Sequence, residues 1–334
     1  MVSRPEARQA DSAAPVRAVR DRPGRPVSGP DSRGDGDGWI RCARGHKHWG
    51  LFGAAGLLLQ RPGPSESPAS VEVLLQHRAL WSHHGGTWGL LGGARQGDET
   101  AVVAALREAG EEGGLSAASV DVHGRYDETH GGWAYTTVLG LTDRGTEARP
   151  TGGESLDVAW VPVDSATDLD LHPGFAAAWP RLREVLAPVV VVVDAANVVG
   201  SRPDGWWRDR AGANHRLVEE CLRRAAEGVA GADLPAALGR ETLRRVWPRW
   251  VVVVEGAARS VAAGSGSGAG SGLGSGHVNV VAAPGSGDVA IVDAARTALA
   301  GILRPAVLVV TADRELRSRV EELGAVTVGP RFLA

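Results

Sequence analysis

Three closely spaced glutamates, Glu108, Glu111 and Glu112, are the residues of this sequence whose types and spacing most clearly suggest chemistry. If their segment is helical, the i, i+3 and i+4 spacing puts all three carboxylates on one face. Like charges placed in this way repel by roughly a few tenths of a kcal/mol per pair. A hard divalent cation with oxygen ligands would offset this repulsion. Mg²⁺ is the usual ion for phosphate chemistry, and Mn²⁺ is an alternative.

The element that must position these acids is a helix predicted over Glu99–Glu112, capped by Asp98 or Thr100 and ended by the Gly113-Gly114 pair. Its apolar residues form a separate stripe, so the helix can pack on a core and still present its acids to a cleft. The stripe consists of Val102, Ala105, Leu106 and Ala109. Arg107 can pair with Glu99 and thereby tie the preceding loop to the helix.

The same segment follows a longer pattern: glycine, five residues, Glu, seven residues, Arg-Glu, an apolar residue, any residue, Glu-Glu, any residue, glycine and an apolar residue. This pattern resembles the Nudix box, and residues from about 39 to 187 resemble the Nudix hydrolases. The resemblance implies an α/β/α sandwich with a mixed sheet. It also implies a Mg²⁺-dependent hydrolase that cleaves a phosphoanhydride bond in a nucleoside diphosphate linked to some moiety X.

The resemblance also implies roles for individual residues. The implied metal ligands are Glu108, Glu111 and Glu112, of which Glu111 and Glu112 would be the catalytic carboxylates. The implied structural residues are Gly93 for the tight loop, Glu99 and Arg107 as a pair, and Gly114 for the helix exit. One departure is Leu91, which stands before Gly92-Gly93 where the family usually has proline. That change loosens the loop entry but removes no ligand.

The choice of substrate lies outside the box, and the sequence does not settle it. Arg95, Trp88 and Trp133 are candidates for pairing with phosphates or stacking on a base, although aromatic residues are more often part of a core. Polar loop residues that could face the cleft are His83, His84, His130, Glu128 and Glu154. Cys42, His46 and His48 are of the types that bind soft metals, but only three are local and no CxxC motif accompanies them.

From residue 188 the pattern changes to strands alternating with helices, which predicts an α/β domain over 188–334 with a doubly wound parallel sheet. Ligands bind such sheets beyond the carboxyl ends of the strands. Acids stand at or just after predicted strand ends: Asp194, Glu255, Asp288 and Asp313, with Asn197 nearby. A second Mg²⁺ or Mn²⁺ site is therefore expected, with Asp194, Asp288 and Asp313 as ligands. Helix capping would explain Asp288 and Asp313 without any ion.

The segments Asp194-Ala-Ala-Asn197 and Thr311-Ala-Asp313 resemble the NYN/PIN-like nucleases. This resemblance rests on shorter motifs than the Nudix box and implies metal-dependent cleavage of a phosphodiester. Single-stranded RNA is the expected partner of this half. Its candidate contacts are Trp206, Trp207, Arg208 and Arg210, which combine stacking with positive charge. The alternative interpretation of the whole chain is a nucleotide-sensing regulator whose C-terminal domain binds nucleic acid without cleaving it.

Outside the motifs, apolar runs and turn residues predict the elements. Predicted strands are Gly53–Gln60, Val71–His77, Val120–Tyr126, Ala134–Leu141, Val158–Val163, Val189–Val193, Trp250–Val254, Val278–Ala282, Ala306–Val310 and Val326–Val328. Further predicted helices are Phe175–Leu186, Arg216–Gly228, Ala236–Val246, Asp288–Ile302 and Arg314–Leu323. Gly92–Asp98 is predicted as a loop.

Length and composition set the outer limits. The 334 residues fit two domains, predicted at 37–187 and 188–334, after a disordered tail at 1–36 and with a Gly/Ser-rich loop at 263–276. With 36 basic and 39 acidic residues, the chain is not a polybasic nucleic-acid coat. Two cysteines exclude a disulfide scaffold, and no apolar run approaches the ~18 residues of a membrane span. A cytoplasmic location is expected.

Overall fold

A computed structural model describes residues 34–64, 70–259 and 277–333. The predicted tail at 1–36 falls almost entirely outside these residues, and so does the predicted Gly/Ser-rich loop at 263–276. Within the described residues, no helix is both long enough and apolar enough to cross a membrane.

The strands, in chain order, are β1 (Trp39–Arg41), β2 (Lys47–Trp49), β3 (Ala54–Pro62), β4 (Val71–Arg78), β5 (Trp88–Gly89), β6 (Leu91–Ala94), β7 (Asp121–Thr129), β8 (Ala134–Leu141), β9 (Ser155–Pro162), β10 (Val189–Asp194), β11 (Arg245–Val246), β12 (Arg249–Val254), β13 (Val278–Ala282), β14 (Ala306–Val310) and β15 (Val326–Val328). The α-helices are α1 (Ala101–Gly113), α2 (Pro173–Glu184), α3 (Ala195–Gly200), α4 (Arg210–Glu227), α5 (Gly287–Leu299) and α6 (Arg314–Glu322).

The first half of the chain is built on a mixed sheet. Its strands run in the order β11-β7-β8-β3-β4-β5, while β6 pairs with β3 and β9 pairs with β4. Strands β3 and β8 are parallel and the other pairs are antiparallel, which confirms the predicted mixed sheet. One face of this sheet is covered by α1, which packs on β3 and β6. The sheet therefore holds the helix that carries the three glutamates.

The second half is built on a parallel sheet with strand order β13-β12-β10-β14-β15. Its central strand, β10, is a run of five valines followed by Asp194, and every residue of it is buried. Such an all-apolar run is expected of a strand covered on both faces. Strands β12 and β13 lie on one side of β10, and β14 and β15 lie on the other, so the strand order switches direction between β10 and β14. The acids at the carboxyl ends of β10 and β12 lie near this switch point.

The two halves are joined by more than the chain. Strand β11 belongs to the second half in sequence, yet it pairs with β7 at the edge of the first sheet. The N–H of Trp247 donates to the carbonyl of His123 (2.9 Å), and Arg249 forms an ion pair with Asp121 (2.6 Å). A single core cluster contains residues of both sheets, such as Leu58 and Val191. The division predicted at 187–188 stays a prediction, and residues on its two sides contribute to one core.

Three secondary-structure predictions were wrong. Ala236–Val246 is not a helix, because it forms a short 3₁₀ turn, a loop that begins at Gly239 (φ +62°) and strand β11. The predicted loop Gly92–Asp98 begins with strand residues of β6, which pair with β3. Helix α4 starts at Arg210, earlier than predicted. Strands β1, β2 and β5 and helix α3 were missed because they are too short to show a period.

Candidate active site

Helix α1 has well-defined ends. The hydroxyl of Thr100 accepts a hydrogen bond from the backbone N–H of Val103 (3.2 Å), so Thr100 is the N-cap. At the other end, Gly114 has φ +69° and its N–H donates to the carbonyls of Gly110 and Ala109. Glycine takes this left-handed conformation without strain, which explains why the helix stops there. The buried alanines and Leu106 dock the helix, and its glutamates point along the segment before it, whose first residues, Leu91–Ala94, form β6.

Arg107 connects the loop to the acids. Its guanidinium bonds both carboxylate oxygens of Glu99 (2.9 and 3.0 Å) and the carbonyl of Ala94 (3.0 Å). It also bonds Glu108 (2.7 Å) and Glu111 (2.9 Å). These carboxylates raise the pKa of Arg107, the hydrogen bond with Glu99 most of all. Burial opposes ionisation of Glu99, but hydrogen bonds from Arg107 and from the N–H of Gln96 hold its pKa below the usual value.

The three glutamates have different surroundings. Glu112 is only 6% exposed and accepts hydrogen bonds from the N–H of Gly92 (2.8 Å) and from Gln76 Nε2 (3.0 Å). Burial raises the pKa of Glu112 to about 7, and burial also raises the pKa of Glu108 despite its bond to Arg107. The Glu111 side chain is 59% exposed. The helix thus presents two desolvated carboxylates and one that is open to solvent.

The donor set fits a hard divalent cation by its chemistry. All three side chains offer oxygen ligands only, and desolvation opposes the ionised form of two of them, a cost that a cation would offset. In the described ranges, two other groups place three ligand atoms within 4.8 Å of one another: Cys42, His46 and His48, and His83, His84 and His172. The glutamates do not form such a group, and the Arg107 guanidinium bonds both Glu108 and Glu111.

Strand β6, which precedes α1, lies so close to Glu108 and to β3 that side chains are excluded at its two glycines. A Cβ atom on Gly93 would lie 2.6 Å from Glu108 Oε1. One on Gly92 would lie 2.4 Å from the carbonyl oxygen of Ala55. Glycine at both positions allows the backbone to approach the glutamates and allows the Gly92 N–H to reach Glu112.

Next to β6 lies a cavity of about 400 Å³. Gly92 and Gly93 form part of its wall, so the cavity opens beside the carboxylates of α1. Aromatic and histidine side chains account for much of the rest: Trp49, Trp133, Tyr135, Phe175, His48, His83, His130 and His172. Arg78 and Glu128 add charge, and burial raises the pKa of Glu128. A planar, partly polar ligand fits such a lining.

Of the three predicted substrate-contact residues, one lines the cavity and two do not. Trp133 lines the cavity, where it stacks on His48 (4.1 Å between centroids, 11° between planes) and donates to the carbonyl of Gly50 (2.9 Å). Trp88 stacks instead on His77 and does not line the cavity. Arg95 donates to the carbonyl of Glu99 (2.6 Å), so it braces the loop. Neither Trp88 nor Arg95 is placed to contact a ligand in this cavity.

The sequence missed several cavity residues. Tyr135 and Phe175 lie on β8 and α2, and they meet only because the sheet and the helix fold together. Of the loop residues that the sequence did suggest for the cleft, His83, His130 and Glu128 line the cavity, whereas His84 does not. Glu154 does not line it, but its charge contributes to the raised pKa of Glu108. No local pattern distinguishes Tyr135 and Phe175 as cavity residues, since they lie on different elements.

In the second half, the structure brings Asp194, Glu255 and Asp288 close enough for their charges to interact. Asp194 is 8% exposed, accepts from Thr311 Oγ1 (2.8 Å) and caps α3 through the N–H of Asn197 (3.0 Å). Burial raises its pKa, and the charges of Asp288 and Glu255 add to the effect. Asp313 caps α6 by accepting from the N–H of Leu316 (2.8 Å), whereas Asp288 lies in the first turn of α5 without capping it.

The predicted nucleic-acid contacts lie in and just after a 3₁₀ turn at Trp206–Arg208. Trp206 is half-buried against the core, with the Arg210 guanidinium 5.5 Å from its ring. Trp207 is 57% exposed. Of this group, Trp207 is therefore the aromatic ring best placed to stack on a ligand.

Comparison with known proteins decides the family. A family model described as the NUDIX domain matches residues 53–183. A Mycobacterium tuberculosis protein named "Putative 8-oxo-dGTP diphosphatase 3" is 48% identical over 172 residues, which are 49% of this chain and 76% of that protein. The chain belongs to the Nudix hydrolases. It is an enzyme of the Nudix pyrophosphohydrolase type, and members of this family generally use divalent metal ions.

Two further relatives of this Nudix hydrolase each match less than half of the chain. A nucleoside triphosphate pyrophosphatase/Nudix hydrolase fusion protein of Bifidobacterium longum is 43% identical over 148 residues, covering 44% of this chain and 30% of that protein. A solved Nudix hydrolase of M. smegmatis is 47% identical, covers 45% of this chain and 94% of its own, and superposes with a TM-score of 0.41. The family model ends before β10, so it says nothing of the parallel sheet.

Proposed function

We propose that this Nudix hydrolase cleaves a nucleoside triphosphate that carries an oxidised purine, of the 8-oxo-dGTP kind, into the monophosphate and pyrophosphate. The observation that carries the proposal is the shared wall. Gly92 and Gly93 border both the aromatic cavity and the glutamates of α1, so one ligand can place its base in the cavity and its phosphates at the acids. The substrate class is supported by the 48% identity to the mycobacterial protein of that name.

In this proposal Glu108, Glu111 and Glu112 hold Mg²⁺, or Mn²⁺ in its place. The bound ion supplies charge neutralisation on the phosphates and a more acidic water. Glu111 is exposed and anchored by Arg107, so its carboxylate can accept a proton from the attacking water. Glu112 is held by Gly92 and Gln76, which fix its carboxylate beside the loop.

The cavity accounts for the proposed choice of base. Trp133 and Tyr135 offer faces and edges for stacking, while Glu128 is a half-buried acid on the wall. An 8-oxopurine carries an N–H at N7 where an ordinary purine has a lone pair. A carboxylate accepts from that N–H but repels the lone pair, so Glu128 can discriminate between the two bases.

The test is a nucleotide panel on the full chain in Mg²⁺, with pyrophosphate and monophosphate as the measured products. We expect 8-oxo-dGTP to be preferred over dGTP, ADP-ribose and a dinucleoside polyphosphate. Trp133→Leu should raise KM at least about tenfold with little change in kcat, because it removes a stacking face. The control Trp207→Leu should leave KM unchanged.

Hydrolysis of ADP-ribose or a dinucleoside polyphosphate in preference would contradict the substrate class. Binding without turnover would favour the regulator alternative, in which the Nudix fold senses a nucleotide and the second half binds nucleic acid.

We propose as a second function a divalent-cation site in the second half, with NYN/PIN-like cleavage of single-stranded RNA. What supports it is the set of Asp194, Asp288 and Glu255 beside the point where the strand order reverses. Asp313 is the weaker ligand candidate because capping α6 accounts for it. Trp207, with Arg208 and Arg210 nearby, is the proposed contact for the RNA.

This second function is tested on the full chain by melting in Mn²⁺ and in chelator and by incubation with single-stranded RNA. Asp194→Asn should abolish RNA cleavage while Nudix turnover persists. An RNA that stays intact in Mn²⁺ with the unaltered protein would rule the nuclease out.

A further inference from the structure

A cysteine and two histidines converge on the turn between β1 and β2, in a group that includes none of the carboxylates of α1. Ligand atoms of Cys42, His46 and His48 lie within 4.8 Å of one another. Cys42 is buried and is one of the two free cysteines, His48 is half-buried, and His46 is exposed. A thiol and two imidazoles at this separation make a compact donor set that is open to solvent on the His46 side.

The backbone of the turn holds these side chains in place. The N–H of Cys42 donates to the carbonyl of His46 (3.0 Å), and the N–H of Gly45 donates back to the carbonyl of Cys42 (2.9 Å). Gly45 has φ +82°, a conformation that favours glycine. The strand register pairs His48 with Ile40, which fixes the side of the hairpin that each residue faces.

A fourth donor comes from a distant part of the chain. His130 lies in the turn between β7 and β8, and its ring centroid is 4.8 Å from that of His48. The two turns are joined because the N–H of Ala43 donates to the carbonyl of Gly131 (2.9 Å). The contact between His48 and His130 is therefore built into the fold.

Two nitrogens of this group are buried without a partner. His48 Nε2 and His130 Nδ1 are shielded from solvent, and neither has a hydrogen-bond partner among the described residues. Buried polar atoms in folded proteins are nearly always paired, and an orphan pair beside a thiol calls for an explanation. A metal ion would use both lone pairs.

We propose that Cys42, His46 and His48 bind a zinc-class divalent ion, with His130 completing a four-ligand site. Thiolate and imidazole select Zn²⁺, and select Co²⁺ as its spectroscopic substitute, over Mg²⁺, which prefers oxygen. Binding deprotonates the thiol and releases that proton to solvent. The site shares no ligand with the glutamates of α1, so one chain would carry a hard-ion site and a soft-ion site.

The ion would have a structural role, because its ligands lie on the cavity wall. His48 and His130 line the cavity, and Trp133 stacks on His48. An ion bound to both histidines would hold the β1–β2 turn against the β7–β8 turn and thereby fix the wall on which Trp133 lies. This role rests on the proposed function for its effect on KM, but the metal site itself does not.

The test uses the full chain freed of metal by chelator and titrated with Co²⁺ in the presence of excess Mg²⁺. We expect one equivalent to bind, with the near-ultraviolet band of thiolate-to-cobalt charge transfer and the visible bands of a tetrahedral site. Zn²⁺ should displace the Co²⁺ and raise the melting temperature. Cys221→Ala is the matched control, since it removes the other cysteine, and it should retain every signal.

Cys42→Ala should abolish the charge-transfer band, and His46→Asn should weaken Co²⁺ affinity at least about tenfold. Because His46 is exposed, its replacement leaves folding intact. A thiolate band that persists in Cys42→Ala would overturn the proposal. So would cobalt binding without such a band, as expected if the ion bound only at His83, His84 and His172. Neither result depends on nucleotide turnover, so a wrong substrate class would leave the metal test unaffected.

Discussion

The side chain of Glu112 combines two properties that are opposed in most proteins, since it is buried and it is acidic. Its carboxylate bonds Gly92 and Gln76 and has a pKa of about 7. Folding therefore favours the protonated form. The stability this provides is complete below the unfolded pKa of about 4.5 and is lost as pH rises through about 7.

Glu112→Gln should for this reason separate activity from stability. Turnover with Mg²⁺ should fall at least about 10²-fold, because a charged ligand is lost. In chelator at pH 8 the free energy of unfolding should rise by roughly 1–3 kcal/mol, with little difference at pH 4. The Gln76 amide can reverse to suit the new amide, since Gln76 Oε1 has no partner. The control is Glu184→Gln, on the exposed end of α2, and unchanged turnover in Glu112→Gln would exclude the assigned ligand.

Gly93 gives a second prediction at this scale. In Gly93→Ala the new Cβ would lie 2.6 Å from Glu108 Oε1, so the carboxylate must move. Displacing a catalytic group by about 1 Å can cost up to ~10²-fold, and we expect turnover to fall at least about tenfold. Gly153→Ala adds the same methyl group where nothing lies within 4 Å and should leave kcat unchanged. Equal rates for the two variants would mean that Glu108 has no role in turnover.

Among the elements, β11 has an importance out of proportion to its two residues. Val246 pairs with Gly124 of β7 and exchanges two backbone hydrogen bonds with Val229 (2.7 and 2.8 Å). Its side chain is 1% exposed. The strand thus closes the edge of the first sheet with residues that belong to the second half.

Val246→Ala should lower the free energy of unfolding by about 2 kcal/mol, as expected for deleting buried methyl groups. Val289→Ala on α5, where the side chain is 53% exposed, should change it by less than about 0.5 kcal/mol. Urea denaturation followed by tryptophan fluorescence measures both. Equal effects would show that β11 does not stabilise the sheet.

His123 on β7, the strand that pairs with β11, makes the free energy of unfolding depend on pH. Burial, aided by the charges of Arg240 and Arg249, lowers the pKa of His123 to about 3. The unfolded histidine binds a proton at about pH 6.5, so stability is complete above that pH and is lost as pH falls toward 3. His123→Gln keeps an acceptor for Gln60. Below pH 6.5 it should reduce the slope of the free energy of unfolding against pH by up to about the value for one proton. An identical pH profile of unfolding in the variant would contradict the burial of a neutral imidazole.

The sequence predicted the elements whose pattern is local. The Nudix box located α1 within two residues, and the valine run predicted β10. The sequence-based prediction failed where tertiary contacts determine the secondary structure. Residues 236–246 contain good helix formers, yet Arg245 and Val246 form a strand that pairs with β7. The cavity was missed for the same reason, because Tyr135, His172 and Phe175 approach one another only in the folded chain.

At the scale of the whole molecule, the shared core couples the halves. Leu58 and Leu75 of the first sheet belong to the same cluster as Val191 and Trp250 of the second. We therefore expect one calorimetric transition for the full chain, and Val191→Ala should lower the temperature of Nudix inactivation as much as that of global unfolding. Two separated endotherms, with activity lost only in one, would show that the halves are independent.

The late position of β11 in the chain also bears on how the protein is made. A ribosome releases β7 well before it reaches Arg245 and Val246, so the nascent first sheet has one unpaired edge during that interval. At roughly 5–20 residues per second the interval lasts several seconds. An open strand edge is a template for pairing with other chains. Slow synthesis between β9 and β11 should therefore favour aggregation of the nascent protein, while the finished chain covers this edge with its own strand.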